Sequence, residues 1–387
     1  MAEFQSPGRP KVRAAIDSVV PELGVPSIMV QIRDEDGTWF GSAGVADTVT
    51  GAPRVPGEHL HSGSISKAFT AATLLQLEAE GRLSIDDTVD RWLPGAMAEN
   101  GYDGTQVTIR HLLSNTSGLF ATGMALEFQR RYLTRSAFDE HRFDVYQPAD
   151  VLAIALSEPP VGRPGETFWY SNGGFAFAAA IIEEVTGNSL ESEVHRTVVR
   201  PLGLKHTFMR HREETGYHGR HPRSYSKLYL KEGTRVEDVT PETWTTLMED
   251  PSLPPMDTTD VNTSGGWGAA NVVATPDELI TFYTAMVTGG LLPADQHRAM
   301  WDTVDTAGTY WLANARYGLG VYQLTLSDGQ VLRGGGGASY GTYTFTMGTP
   351  DGKRMMLVHT NNDWAAFPAI DRIIEAEFGA GGLRLEM

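Results

Sequence analysis

The sequence predicts an α/β plus all-α protein: an antiparallel sheet flanked by helices, with a mainly helical domain inserted into it. Three observations predict this. Near the N-terminus, Ile28-Met29-Val30-Gln31-Ile32 and Trp39 to Val45 flank the turn Asp34-Glu35-Asp36-Gly37, the pattern of a hairpin. Near the other end come three more strand-like runs, 317–326, 340–349 and 353–361, the last two joined by Pro350-Asp351-Gly352. Between them, from Lys67 to about Leu204, the apolar spacing is mostly helical. Strands at both ends with helices between them imply one sheet built from both termini. The expected division is residues 1–66 with 265–387 as the sheet domain and 67–264 as the helical domain.

The elements follow in order. Residues 11–20 read as an amphipathic helix, and the hairpin comes next. Ala68 to Leu77 is a buried-looking helix that Gly81 ends as a C′ residue. Ile109-Arg110-His111-Leu112-Leu113 is a short helix, and Phe175 to Val185 is a long one closed by Thr186-Gly187-Asn188. Residues 205–262 carry charge, Pro and Thr with little period, and read as a long excursion. Thr275 caps a helix whose first residue is Pro276. A last helix runs from about Ala365 to Phe378, and no internal repeat is present.

Composition narrows the function. A chain of 387 residues holds one large or two intimate domains. It has no cysteine, so disulfides, thiolate metal sites and cysteine nucleophiles are excluded. A net charge of −17 argues against nucleic acid or an anionic membrane as partner. No apolar run is long enough to span a bilayer. Met1 to Pro7 lack an apolar signal core, which predicts a cytoplasmic protein.

The chemistry starts at Ser64-Ile65-Ser66-Lys67, at the head of a helical run. Residues three apart share a helix face, so the hydroxyl and the amine can meet. A serine is a weak nucleophile until a base takes its proton, and a buried lysine is such a base once its pKa falls from ~10.4 towards ~7–8. A Ser-x-x-Lys tetrad arises about once by chance in a chain this long, so its context matters. Alone, it would more often be a cap serine with a surface lysine. A second motif, Tyr170-Ser171-Asn172, follows the turn at Pro164-Gly165 and precedes an apolar helix. A tyrosine beside an ammonium is favoured as phenolate. Asn172 either donates to a substrate carbonyl or holds Lys67. Standing alone, the triplet would be a half-buried aromatic and a helix cap.

With these motifs the chain resembles the superfamily of class C β-lactamases, serine D-Ala-D-Ala carboxypeptidases and family VIII esterases. Further matches, in family order, are Val107 to Leu119, Arg200-Pro201-Leu202-Gly203-Leu204, Ser264-Gly265-Gly266-Trp267-Gly268-Ala269-Ala270, Thr275 to Leu279, and Tyr317-Gly318-Leu319-Gly320. The resemblance implies a β-lactamase/penicillin-binding-protein-like fold. It also implies Ser64, Lys67 and Tyr170 as catalytic residues, with Asn172, Trp267, Gly335, Gly336, Gly337 and Ala338 binding substrate. The oxyanion hole is then made by the backbone N–H groups of Ser64 and Ala338.

One departure matters. The family places Lys-Thr-Gly or His-x-Gly on the strand facing the serine, and here that motif falls on Gly335-Gly336-Gly337. The lost cation binds a substrate carboxylate in relatives, so β-lactams and C-terminal carboxylates become poorer substrates. The glycine leaves room for a bulkier or uncharged group, and Arg333 is the nearest alternative cation.

The expected enzyme is a serine acyltransferase or hydrolase needing no cofactor, metal or ATP. It passes an acyl group from an ester or amide donor through Ser64 to a small-molecule acceptor. Some superfamily members form amides from methyl esters in antibiotic pathways, capuramycin assembly among them, which favours transfer to an amine or alcohol. Hydrolysis by an esterase or amidase is the alternative, and a non-catalytic ligand-binding relative is a third. A metal site at His218-Gly219-Arg220-His221 lacks a carboxylate ligand at helical spacing. Oligomeric state is open. Trp244 and the basic residues Lys205, His206, Arg210, His211, Arg212, Arg220 and Arg223 of the excursion either cover a polar donor or acceptor or form a solvated loop.

Overall fold

The computed structural model describes residues 8–231, 233–239, 252–309 and 311–383. Met1 to Pro7 and Trp244, on which two expectations rest, lie outside the described residues.

Helix α1 (Pro10–Leu23) starts with proline and stops at Gly24, whose φ of 62° suits a residue without a side chain. Strands β1 (Ser27–Asp34) and β2 (Gly37–Gly44) form the expected hairpin, with Asp34 opposite Gly37 around Glu35-Asp36. Helix α2 (Ser66–Ala79) follows the serine, and α3 (Asn172–Thr186) packs on it. Helix α4 (Pro276–Thr288) has Thr275 at its N-cap position, although the threonine side chain makes no capping bond. The other strands of the same sheet are β3 (Val304–Asp305), β4 (Ala315–Tyr317), β5 (Tyr322–Thr325), β6 (Val331–Ser339), β7 (Thr342–Gly348) and β8 (Met355–Thr360), before α5 (Ala366–Phe378); five short strands form two small sheets elsewhere among the described residues.

These strands make one antiparallel sheet in the order β2-β1-β8-β7-β6-β5-β4-β3. N-terminal β1 is therefore hydrogen-bonded to β8, from the other end of the chain, with Ile28 opposite Thr360. The expected strand 317–326 is two strands. Gly318 and Gly320 bend the chain between them, with Gly318 N–H donating to the Val321 carbonyl at 2.8 Å. The expected strand 340–349 begins later, because Tyr340-Gly341 forms the turn from β6, with Gly341 at φ 72°. Strand β6 is not among the runs that periodicity picks out, although the resemblance places a strand at Gly335-Gly336-Gly337. Its four consecutive glycines carry neither β-propensity nor alternation, yet it pairs along its length with β7.

Alternation sorts the sheet into two faces. Ile28, Val30 and Ile32 of β1 and Val358 of β8 pack with Val12, Ile16 and Val19 of α1 and Ile370, Ile373 and Ile374 of α5. On the other face, Met29, Met355 and Leu357 join Leu279, Phe282 and Met286 of α4 and the apolar residues of the helical region. Phe69 of α2 stacks on Phe282 with centroids 3.9 Å apart, fixing the serine helix against the sheet domain.

A charged pair lies in this interior. Arg54 Nε donates to Glu58 Oε2 at 2.7 Å with neither side chain exposed. Arg54 also donates to Ser27 Oγ at 3.0 Å and meets His359 Nδ1 at 3.2 Å. Burial holds the His359 imidazole well below the usual histidine range, so the ring is neutral and can accept. One guanidinium thus ties β1, β8 and the segment that leads to Ser64.

Candidate active site

Ser64 sits in a single 3₁₀ turn, Gly63–Ile65, that runs straight into α2. Gly63 is required there: its φ is 51°, and a Cβ would lie 2.3 Å from the Ala338 carbonyl oxygen. Ser66 fastens the turn. Its hydroxyl donates to Gly63 O at 2.7 Å and accepts from Val272 N–H at 2.9 Å.

Lys67 points back along the same face. Its Nζ is 3.0 Å from Ser64 Oγ and 2.6 Å from Asn172 Oδ1. The side chain is wholly buried, among the rings of Tyr170 and Phe175 at 4.8 and 5.5 Å. Burial without a carboxylate partner pushes the amine down to about 7. A base with that pKa is half neutral near neutral pH, as a proton acceptor for serine must be.

Tyr170 stands on the cavity wall, stacked on Trp311 at 5.8 Å. Burial pushes its phenol up to about 12, against the opposing effect of its hydrogen bond with Ser64. The expected phenolate is therefore corrected. The low dielectric that strips the charge from Lys67 also keeps the proton on Tyr170, so the pair is amine plus phenol.

A residue that motif reading passed over holds the tyrosine. Asn115, at φ 56°, accepts from Trp169 N–H through its backbone carbonyl at 2.8 Å and from Ser171 N–H through Oδ1 at 3.0 Å. Ser171 caps α3 by accepting from Gly173 N–H at 3.2 Å and donates to Phe120 O at 2.6 Å. Tyr170 is clamped on both sides by one asparagine. The signal was the left-handed-tolerant Asn inside Ser114-Asn115-Thr116-Ser117-Gly118.

Strand β6 closes the site, and each of its glycines is set by a contact. A Cβ on Gly337 would be 2.0 Å from Ser62 O and 2.5 Å from Ser64 N. One on Gly336 would be 2.6 Å from the Tyr322 hydroxyl, and one on Gly335 would be 2.0 Å from the Tyr283 hydroxyl. The room expected at Gly335 is thus taken, because Tyr283 of α4 fills it. The Ser64 and Ala338 N–H groups belong to backbones that touch through Gly337 and Gly63. The cavity measures about 130 Å³, and Ser64, Tyr170, Tyr283, Trp311, Tyr317 and Tyr322 all line it, with Gly335, Gly336, Gly337 and Ala338.

Three expected residues lie elsewhere. Trp267 is 5% exposed and packs into the apolar core of the helical region, away from the cavity lining. Asn172 is outside the lining and takes the second of its two expected roles, accepting from Lys67 Nζ at 2.6 Å. Arg333 shares a face with Gly335, but its guanidinium sits over the Trp301 ring at 4.8 Å and outside the lining. The basic residues of the excursion do not reach Ser64 either. Arg210 is buried beside Tyr217, while Arg220, His221 and Arg223 line a separate cavity of about 230 Å³ with Asp47, Glu58 and Asp260. The expectation that no carboxylate stands at helical spacing from the His218-Gly219-Arg220-His221 pair is corrected: Glu214, four residues before His218, pairs with it at 3.1 Å, while His221 stacks on Tyr217 at 4.2 Å. Among the described residues no group of three His, Asp or Glu side chains could hold a metal, and no helix is long and apolar enough to cross a membrane.

A serine turn, a buried neutral amine and a phenol beneath a glycine strand define an acyl-serine enzyme. A family model for β-lactamases matches residues 12–377, and the chain belongs to that family. It is 34% identical over 168 residues to a penicillin-binding protein of Bacillus subtilis, a match covering 43% of this chain and 34% of that one. It is 30% identical over 186 residues to esterase EstB of Burkholderia gladioli, covering 47% and 46%. The chain therefore spans less than half the length of these two relatives. A D-stereospecific amidohydrolase from Streptomyces sp. superposes with a TM-score of 0.83 at 33% identity, over 96% of this chain and 99% of that one. The chain thus has the β-lactamase/penicillin-binding-protein fold and falls in the serine hydrolase and acyl-transferase superfamily.

Proposed function

We propose that this enzyme cleaves a small neutral amide or ester through an acyl-Ser64 intermediate. One observation carries the reading: the amine of Lys67, titrating at about 7, lies 3.0 Å from Ser64 Oγ, and Ser64 lines a cavity whose described lining has no Lys, Arg or His. Neutral Lys67 takes the Ser64 proton as Oγ attacks the carbonyl carbon. The N–H groups of Ser64 and Ala338 take the developing oxyanion. The tetrahedral species collapses, the C–N or C–O bond breaks, and the leaving nitrogen or oxygen receives a proton through the Tyr170 phenol, which Lys67 replenishes. The acceptor then gives its proton back along the same path as it attacks the acyl carbon. The likeness to an amidohydrolase over nearly the full length of both chains supports an amide donor with water as acceptor. The cavity volume of about 130 Å³ supports small molecules as donor and acceptor.

Transfer to an amine, making the enzyme a transacylase of a biosynthetic pathway, is the second reading. The aromatic wall of Tyr170, Trp311, Tyr317, Tyr322, Tyr343 and Phe367 favours it, because such a wall binds an organic acceptor better than water.

Intact-protein mass spectrometry with neutral esters and amides, including a methyl ester, tests both readings. The expected result is a mass gain on the wild-type protein that Ser64→Ala abolishes. Discharge by water makes the enzyme a hydrolase, and faster discharge by an added amine makes it a transacylase. Turnover that survives in Ser64→Ala would overturn the assignment.

A further inference from the structure

Tyr283 is wholly buried in the middle of α4, and its hydroxyl has no hydrogen-bond partner among the described residues. Tyr283 is one of the residues lining the cavity shared by Ser64 and Tyr170. An orphaned hydroxyl in a dry interior is costly unless something arrives to pair with it. Its place is informative: a Cβ on Gly335 would lie 2.0 Å from the hydroxyl oxygen and 2.8 Å from the ring carbon bearing it. The phenol therefore stands where the side chain of the third motif residue would leave the strand. It arrives from a helix instead of from the strand. It is also a different kind of group. Burial holds the Tyr283 phenol far above its ordinary range, so it stays neutral and keeps its proton.

We propose that Tyr283 is the specificity-determining residue for the donor, its hydroxyl hydrogen-bonding an uncharged terminus, a carboxamide or ester, on the leaving group. This rests on the acyl-serine reading above. A carboxylate terminus entering the same place finds no Lys, Arg or His in the described lining; the Lys67 amine, 3.0 Å from Ser64 Oγ, is already engaged by Ser64 and Asn172, and a charge taken from water without a full partner is strongly disfavoured. A carboxamide or ester offers a carbonyl to the phenol O–H and has no charge to desolvate. The tyrosine also gives a reason for glycine at Gly335, since a Cβ there would force the phenol to move.

The test compares two donors that differ only at the leaving-group end: an N-acetyl dipeptide amide and its free acid, in both enantiomeric series. p-Nitrophenyl acetate serves as a separate reporter of Ser64 acylation. Wild-type protein is expected to acylate on Ser64 with the reporter and to prefer the amide over the acid by at least about tenfold in kcat/KM. Tyr283→Phe removes only an oxygen, and it should lower the amide-to-acid ratio by about three- to tenfold, the worth of one neutral hydrogen bond. The double variant Tyr283→Ala with Gly335→Lys clears the phenol and restores a cation, and it should move the ratio further towards the acid. Equal losses on both donors in Tyr283→Phe, leaving the ratio unmoved, would mean that the tyrosine only packs, and would overturn the proposal while leaving the acyl-serine reading intact. If the folded wild-type protein takes no acyl group on Ser64 from any ester, the acyl-serine reading fails and the proposal fails with it.

Discussion

At the scale of single residues the site is governed by one effect, the removal of water from Lys67 and Tyr170. Both groups lose their charged forms, the lysine titrating at about 7 and the tyrosine at about 12. The competent form is neutral amine with intact phenol. The kcat/KM for acylation should therefore rise with pH, inflect near 7, fall about tenfold per unit below it, and stay level on the alkaline side until the phenol titrates. Lys67→Arg, whose guanidinium keeps its proton, should be inactive across the whole range; a flat profile in the wild type would remove Lys67 as the base. Much of this residue-level picture was legible. Ser64, Lys67 and Tyr170 sit in short motifs whose spacing carries their geometry. Tyr283 was not, because a tyrosine in an amphipathic helix looks like any other core aromatic, and only the strand opposite shows that its hydroxyl faces a glycine. Trp267 misled for the converse reason: its motif matched, but the side chain turns into the helical core.

At the scale of elements, the decisive piece is β6. The periodicity of the sequence describes strands by alternating side chains, and β6 has almost none to alternate. Its glycines are the residues that let two backbones touch. Gly337→Ala would bring a Cβ within 2.0 Å of Ser62 O and 2.5 Å of Ser64 N, both of them backbone atoms that cannot rotate away. The strand or the serine turn must then shift. A displacement of about 1 Å costs on the order of 100-fold in rate, so kcat should fall by about that factor while the protein remains folded. Steady-state kinetics alongside circular dichroism would check it, and near-wild-type kcat would mean that the strand does not set the serine geometry.

At the scale of the whole molecule, Arg54 and Glu58 join the sheet to the segment carrying the nucleophile. Neither side chain is exposed, and a buried charge that loses its partner costs far more than the pair contributes. Glu58→Gln should destabilise the protein by about 3–5 kcal/mol, read as a lower urea midpoint with an unchanged slope. Loss of less than about 1 kcal/mol would show that Ser27 and His359 suffice to hold the guanidinium. The architecture itself was readable from strands at both ends of the chain. The path of the excursion was not, since an unperiodic charged segment carries no register, and the structure routes its arginines to Asp47, Asp257 and Tyr217.

The pairing of β1 with β8 has a temporal side. The serine turn, the tyrosine and the glycine strand come from residues 63–67, 170–172 and 335–338, and the strand that holds β7 in register, β8, ends at Thr360. A chain still being synthesised has had its nucleophile for most of its length before β6 and β8 exist. Until then the cavity that Ser64 faces lacks the wall made by Gly335, Gly336, Gly337 and Ala338. The finished site is thus the last thing the molecule acquires, once the two ends of the polypeptide have met.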